Sequence, residues 1–212
     1  MANNLTSLAY LYSAQGKYAE AVASSKRALS IREKIWGPDD PDVAEGLSSL
    51  GRLYELEGKY TEAEPCFRRA LNIMENALGK DHPFVTPDLR ILQNLSWREL
   101  GIVEPPDNPH VPLTRRRMAL ALSMAMSLRG LATVYGTQGK YTEAEPLFKR
   151  AVAIMEKAHP GVPIVIFLED YAVLLRKMDR YAEAVELEDR AAKLESYDKV
   201  IRAKYTGENI GK

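Results

Sequence analysis

The residues best suited to chemistry in this sequence are three histidines, one cysteine, two pairs of closely spaced glutamates and a run of three arginines. His82 and His159 each precede a proline at equivalent loop positions, and His110 sits between Pro109 and Pro112. Those settings favour a turn role over proton transfer. No two histidines have the spacing of a metal pair on one helix face, and Cys66 has no second cysteine with which to hold zinc. The "EAE" runs at 62–64 and 143–145 offer paired carboxylates, but Glu64 and Glu145 read as T-x-x-E capping boxes with Thr61 and Thr142. There is no glycine-rich phosphate loop and no G-x-S-x-G turn. Arg115, Arg116 and Arg117 form too short a patch for nucleic acid and have no aromatic neighbour for base stacking. Cations at a helix N-terminus are unfavourable, so one of these arginines is expected to meet an acidic partner. The expectation is a non-enzyme with no catalytic residue, no metal and no cofactor.

Composition narrows the class further. The 212 residues carry 29 basic and 29 acidic side chains, which argues against a general polyanion binder. A single cysteine rules out an intrachain disulfide. No stretch reaches the roughly 18 apolar residues needed to cross a bilayer, and the N-terminus lacks the charged start and apolar core of a signal peptide. The chain reads as a soluble cytoplasmic protein or an internal piece of a larger one, with no nucleic-acid partner and no membrane insertion.

The phrase "AQGKYAEA" at 14–21 returns as "LEGKYTEAEP" at 56–65, "TQGKYTEAEP" at 137–146 and, weakly, "KMDRYAEA" at 177–184. Leu5, Leu47 and Leu89 are each 42 apart, Leu128 follows by 39 and Leu168 by 40. Five units follow: about 1–42, 43–84, a degenerate 85–122, 123–163 and 164–204, with 205–212 as a fraying tail. Each unit opens with a helix, as Leu47, Leu50, Leu53 and Tyr54 show by their three- and four-residue steps. Gly58 ends that helix. A second helix buries Ala63, Phe67, Ala70, Leu71 and Met74, with Pro65 placed near its first turn. Small residues recur at Ala9, Gly51, Ala132 and Ala172 in first helices. They recur at Ala21, Ala63, Ala144 and Ala184, and at Ala28, Ala70, Ala151 and Ala191, in second helices. They let helix backbones approach closely. A lone helix pair cannot bury its apolar face, so the units must stack.

Alanine, glycine and tyrosine at these offsets resemble tetratricopeptide repeats. The 42-residue period and the "GKDHP" loop are similar to the long subclass found in kinesin light chains and nephrocystin-like proteins. The resemblance implies an all-α, right-handed solenoid of helix-turn-helix repeats with a concave groove that binds peptide segments of other proteins.

The third unit departs from the pattern. Prolines 105, 106, 109 and 112 forbid a helix through 104–112. From Leu113 to Tyr135 helix formers predominate, which predicts one long helix running into unit four. The second helix of unit three is then missing or replaced, leaving its neighbours short of a packing partner. Met118, Leu122 and Met126 lie on one row of the long helix and Leu120, Met124 and Leu128 on the next. Both rows are apolar, so the helix must be buried on more than one side. Either it fills the gap in its own chain, or it pairs with a second copy. The self-association candidates are accordingly Met118, Leu120, Leu122, Met124 and Met126.

The resemblance also assigns groove positions on the first helices: Asn3, Thr6 and Tyr10; Ser48 and Arg52, with Glu55 beside them; Arg90, Asn94 and Trp97; Arg129 and Thr133; and Arg176. The Asn-Asn pair of kinesin light chains is replaced here by Thr6-Ser7, Ser48-Ser49, Arg129-Gly130 and Glu169-Asp170. Arg52, Arg90, Arg129 and Arg176 read as a guanidinium ladder for an acidic or C-terminal peptide, with Trp97 as an apolar anchor. Against this, Glu55, Glu169 and Asp170 can neutralise the arginines within the groove. The leading reading is an interaction scaffold for a protein or peptide ligand. The alternatives are a self-assembling homodimer through 113–135 and a regulatory segment of a larger signalling protein.

Overall fold

The computed structural model describes the backbone of residues 2–78, 111–158 and 164–206, and the side chains of 2–78, 119–157 and 164–196. The described residues are helical hairpins joined by tight turns, with no strand among them. In chain order the helices are α1 (Ala2–Ala14), α2 (Tyr18–Trp36), α3 (Pro41–Leu56), α4 (Tyr60–Leu78), α5 (Val111–Thr137), α6 (Tyr141–Ala158), α7 (Val165–Lys177) and α8 (Tyr181–Thr206). They fall into two compact bodies, Met1–Pro160 and Gly161–Lys212. The first holds three hairpins, α1–α2, α3–α4 and α5–α6, and the second holds α7–α8.

The repeated phrase is the hairpin turn. Gly58 adopts φ +76°, the left-handed conformation that glycine takes without strain. This lets the Lys59 N–H donate back to the Tyr54 carbonyl at 2.8 Å, closing α3. The Lys59 carbonyl then accepts from Ala63 N–H and opens α4. The same bond recurs from Lys17 to Tyr12, from Lys140 to Tyr135 and from Arg180 to Leu175. In the last copy Asp179 takes the left-handed place at φ +60°, a position that Asp tolerates better than most residues.

This geometry corrects two local expectations. Since α4 starts at Tyr60, Thr61 lies inside the first turn and donates to the Glu62 carboxylate at 2.6 Å. Thr142 does the same to Glu143. Neither threonine is a cap, and the expected capping boxes are not formed; Glu64 and Glu145 instead pair with Arg68 and Lys149 four residues on. Pro65 and Pro146 lie inside their helices, beyond the first four N–H groups that would go unpaired anyway. Each therefore removes one backbone bond. The long helix forms as expected but begins at Val111, with Pro112 tolerated in its first turn.

The core follows the small-residue pattern. Ala21, Ala63 and Ala144 are fully buried, as are Ala70, Ala151 and Ala132. Around them pack Leu47, Leu50, Phe67, Met74, Leu128, Phe148 and Ile154.

The hairpin α5–α6 packs directly on α3–α4. Unit four thus sits on unit two in the way that unit two sits on unit one, and the contacts recur in register. Lys26 lies 5.4 Å from the Tyr54 ring centre, and Arg68 lies 5.6 Å from that of Tyr135. Glu33 pairs with Arg69 at 2.7 Å, and Glu75 with Arg150 at 2.8 Å. Each second-helix residue has moved by 42 and each receiving residue by 81. The neighbours of unit three were expected to lack a partner; instead they are each other's partner. The segment 79–110 lies outside the described residues.

One side chain makes this arrangement specific. Phe67 is buried between two helices that both meet it with glycine. A Cβ at Gly51 of its own hairpin would lie 2.9 Å from the ring, and one at Gly130 of α5 would come closer still to Cζ. The first junction has Ser25 and Ser49 at the matching places, and the sequence of unit three offers Ile91 where unit four has Gly130. Gly130, with no side chain, leaves room for the ring.

Two outcomes follow. Gly130→Ala should destabilise the protein by about 1–3 kcal/mol through overpacking. In a Phe67→Ala background, itself about 3–5 kcal/mol less stable, the same change should be neutral or better, as a double-mutant cycle in denaturant melts would read. Excising 84–122, so that Pro83 joins Ser123, restores the 42-residue step between first helices. The shortened chain should keep a single cooperative transition by circular dichroism, and a non-cooperative melt would contradict the direct stacking.

Candidate functional site

First helices α3 and α5 run side by side, and the seam between them opens into a pocket of about 360 Å³. Its floor is the seam itself. The Ser48 and Ser127 hydroxyls are 2.6 Å apart, and each also reaches the carbonyl four residues back in its own helix, Ala44 at 2.9 Å and Ser123 at 3.0 Å. Each hydroxyl has one proton, so one donates across the seam while the other donates along its helix. At the first junction Gly46 stands in the place of Ser127, and the Arg32 guanidinium fills the space beside it and donates to Thr6 Oγ1 at 3.3 Å. Met74 stands in the place of Arg32 at the second junction and is fully buried.

One wall of the pocket, from α3, carries Asp42, Glu45, Ser49, Arg52 and Glu55. The other, from the middle of α5, carries Ala119, Leu120, Leu122, Ser123, Met126 and Arg129, and Phe67 closes the base. The α5 wall is therefore mainly apolar, with Arg129 at one end, and the α3 wall is mixed in charge, with three carboxylates beside the Arg52 guanidinium. Arg129 is only 4% exposed, so its charge is held within the protein wall rather than displayed on it.

Of the groove candidates, the structure brings Ser48, Arg52 and Arg129 together here. Thr133 is half-buried one turn further along α5 and donates to the Arg129 carbonyl. On α1, Asn3 is exposed, Thr6 is engaged by Arg32, and Tyr10 is 75% exposed. Arg176 belongs to the second body, where two of its nitrogens hold the Glu188 carboxylate at 2.8 and 2.7 Å. Arg90, Asn94 and Trp97 lie outside the described residues, as do the three histidines and the Met118 side chain.

The self-association candidates divide. Met124 is fully buried, with Arg150 Nη2 3.6 Å from its sulfur, and so belongs to the core of its own chain. Leu120, Leu122 and Met126 are half-buried and line the pocket. The sequence gives these apolar residues and the groove residues as candidates for different roles, and it does not name Glu45, which stands 42 residues after Asn3. Periodicity alone does not place α5 beside α3.

The rim of the α4–α5 contact is polar. Arg68 bonds the Tyr135 hydroxyl and Glu64, and Gln138 Nε2 donates to Glu64 at 3.2 Å. Burial would raise the Glu64 pKa, but the bonds from Gln138 and Arg68 hold it below the usual glutamate range. At the first junction, the Lys26 pKa is raised chiefly by its contact with the Tyr54 hydroxyl.

A family profile described as tetratricopeptide repeat matches residues 1–76 and 123–194, more than half of the chain. This chain belongs to the tetratricopeptide repeat family. The unmatched stretch between the two blocks contains prolines 105, 106, 109 and 112. No curated protein matches the chain. Among solved structures, BtubC (BKLC) from P. vanneervenii is similar over the whole of this chain, at 17% identity and a TM-score of 0.61. This chain spans 66% of that one's length. A putative kinesin light chain of Podosopora anserina with nearly identical TPR-like repeats gives 20% identity and a TM-score of 0.39, covering 96% of this chain and 95% of its own. A substituted form of that repeat protein gives 0.40 at the same identity and coverage. Tetratricopeptide repeats are in general protein-interaction modules, and among the described residues no helix is long and apolar enough to cross a membrane.

Cys66 provides a check on the packing of α4. Burial pushes its thiol pKa up, against the opposing charges of Lys26 and Arg69. Alkylation by iodoacetamide at mildly alkaline pH should therefore be several-fold slower in the folded protein than after denaturation, as mass spectrometry would show.

Proposed function

We propose that this chain is a non-catalytic interaction scaffold that holds an extended peptide segment of another protein between α3 and α5. The supporting observation is the convergence of Ser48, Arg52 and Arg129 with Leu120, Leu122 and Met126 on one pocket. Its shape and lining suit a segment with one apolar side chain, seated against α5, and a carboxylate or chain terminus near Arg52. Guanidinium groups recognise carboxylates through paired hydrogen bonds. The acidic residues Asp42, Glu45 and Glu55 lie on the same wall, so a flanking cation on the peptide is also accommodated. A purely acidic ligand fits this wall less well than one with both charges. The 42-residue step supports membership of the long-repeat subclass that includes kinesin light chains.

Homodimerisation has its own supporting observation: Leu120, Leu122 and Met126 stay half-exposed after α5 has packed on α3 and α4. A second copy would cover the same wall as a peptide, so the two readings compete for one surface.

A random peptide library panned against the protein tests the first reading. Enriched sequences should share an apolar residue next to a carboxylate. Leu120→Asp should abolish capture, and Arg52→Glu should weaken it by about 1–3 kcal/mol, both with unchanged thermal melts. Arg129 is unsuited to reversal because it is buried. Light scattering that shows a dimer dispersed by Leu120→Asp would favour the second reading instead.

A further inference from the structure

The pocket between α3 and α5 differs from one end to the other, because the two helices run in the same direction. Ser48 meets Ser127, and three residues further on Gly51 and Gly130 share the Phe67 ring. Both pairs are 79 residues apart, so each α5 residue lies beside the α3 residue 79 places before it. Leu120 and Leu122 therefore stand at the end of the pocket that holds Asp42, Met126 stands in the middle, and Arg129 lies toward the end that holds Arg52.

The charges of the α3 wall follow the same axis. Asp42 and Glu45 are exposed at the first end, and Arg52 is half-buried at the second. Residues three and seven apart share a helix face, so Asp42, Glu45 and Arg52 border the pocket together. At about 1.5 Å of rise per residue, Arg52 lies about 10.5 Å along the helix from Glu45 and about 15 Å from Asp42. Acid and guanidinium are thus too far apart to neutralise one another. Among the described residues, neither the Glu45 nor the Arg52 side chain makes a hydrogen bond or an ion pair. Arg129 is buried, so Arg52 is the guanidinium displayed at its end.

An extended chain matches this spacing. Its alternate side chains point to the same side, and four residues span about 13 Å, between the two distances from Arg52 to the acids. Residues that neighbour one another on one side of such a chain are two apart in sequence.

We propose that the pocket selects its segment by an ordered charge pattern: a lysine or arginine, an apolar residue two positions away, and a carboxylate two positions further on. The cation sits between Asp42 and Glu45 with its aliphatic stem along Leu120. The apolar residue packs on Leu122 and Met126, and the carboxylate meets Arg52. The carboxylate is that of an acidic side chain or of a chain terminus at the same distance. A segment with acid at both ends is rejected, because one of them faces Asp42 and Glu45. The proposal rests on the reading of this pocket as a peptide site and adds to it what the peptide must carry, and where.

Fluorescent peptides with both ends blocked should be titrated into the full chain, with anisotropy as the readout. A Lys-Ser-Leu-Ser-Glu core should bind saturably. Glutamine in place of either charge should weaken binding about tenfold. Closing the core up to Lys-Leu-Glu should do the same, since adjacent residues of an extended chain point to opposite sides. A Lys-Ser-Leu-Ser core with a free C-terminus, compared with its amide, reads whether a terminus can supply the carboxylate. Arg52→Glu should lose the first core and gain Lys-Ser-Leu-Ser-Lys. Asp42→Lys combined with Glu45→Lys should instead favour Glu-Ser-Leu-Ser-Glu, with thermal melts unchanged in both proteins. If Gln-Ser-Leu-Ser-Gln binds as tightly as the charged core, the charge pattern is overturned while the peptide reading stands. If none of these peptides binds, the pattern is overturned, and the panned library decides whether the wider reading falls with it. A dimer that Leu120→Asp disperses and that the charged core does not displace would assign the pocket to a second copy and overturn both.

Discussion

Phe67 sits where three helices come closest, and the first body of this protein depends on the space it is given. A buried phenylalanine contributes a large apolar area, but it also demands that whatever faces it be small. Gly51 meets the ring within the hairpin and Gly130 meets it across the junction. Protein interiors are packed about as densely as organic crystals, so even one additional carbon at either glycine must displace something. The demand is therefore selective. It fixes how α3 crosses α4, and it also fixes which later helix can lie against both.

Once α5 is seated on that ring, the rest of the junction falls into the register used earlier in the chain. The cation over the tyrosine ring and the glutamate–arginine pair recur at matching positions. Individually these are modest interactions, since exposed ion pairs and cation–π contacts are each worth about 1 kcal/mol or less. Their value lies in placement: they mark one alignment of the hairpins as better than its neighbours. The apolar stripes between them supply the bulk of the burial. Nearest-neighbour contacts are what a stack is built from, so units two and four join where their faces match.

The same seating creates the candidate site. The middle of α5, residues 119–129, forms a mainly apolar wall facing the polar side of α3. Arg129 is drawn into that wall and buried, while Arg52 remains on the rim. Four arginines from successive first helices, read in the sequence as a ladder, fall in the structure into different settings. One is buried, one lines the rim, one is committed to Glu188 in the other body, and one lies outside the described residues.

What the sequence determined by itself was local. Turn chemistry at "GKY", the apolar steps of three and four, and the small residues at fixed offsets specify helices, hairpins and the residues that each hairpin buries. These are legible because they depend on backbone conformation and on neighbours a few residues away. The starting residue of α4 was misjudged by two because the capping box reads Thr61 as the cap, whereas the left-handed turn's bond from Lys59 to Tyr54 starts the helix at Tyr60. What only the tertiary structure decided was which hairpin lies on which. Stacking is set by the fit of faces far apart in the chain, Phe67 against Gly130 above all, and no periodicity records the volume left opposite a side chain. The pocket and the burial of Met124 and Arg129 follow from that choice of neighbour.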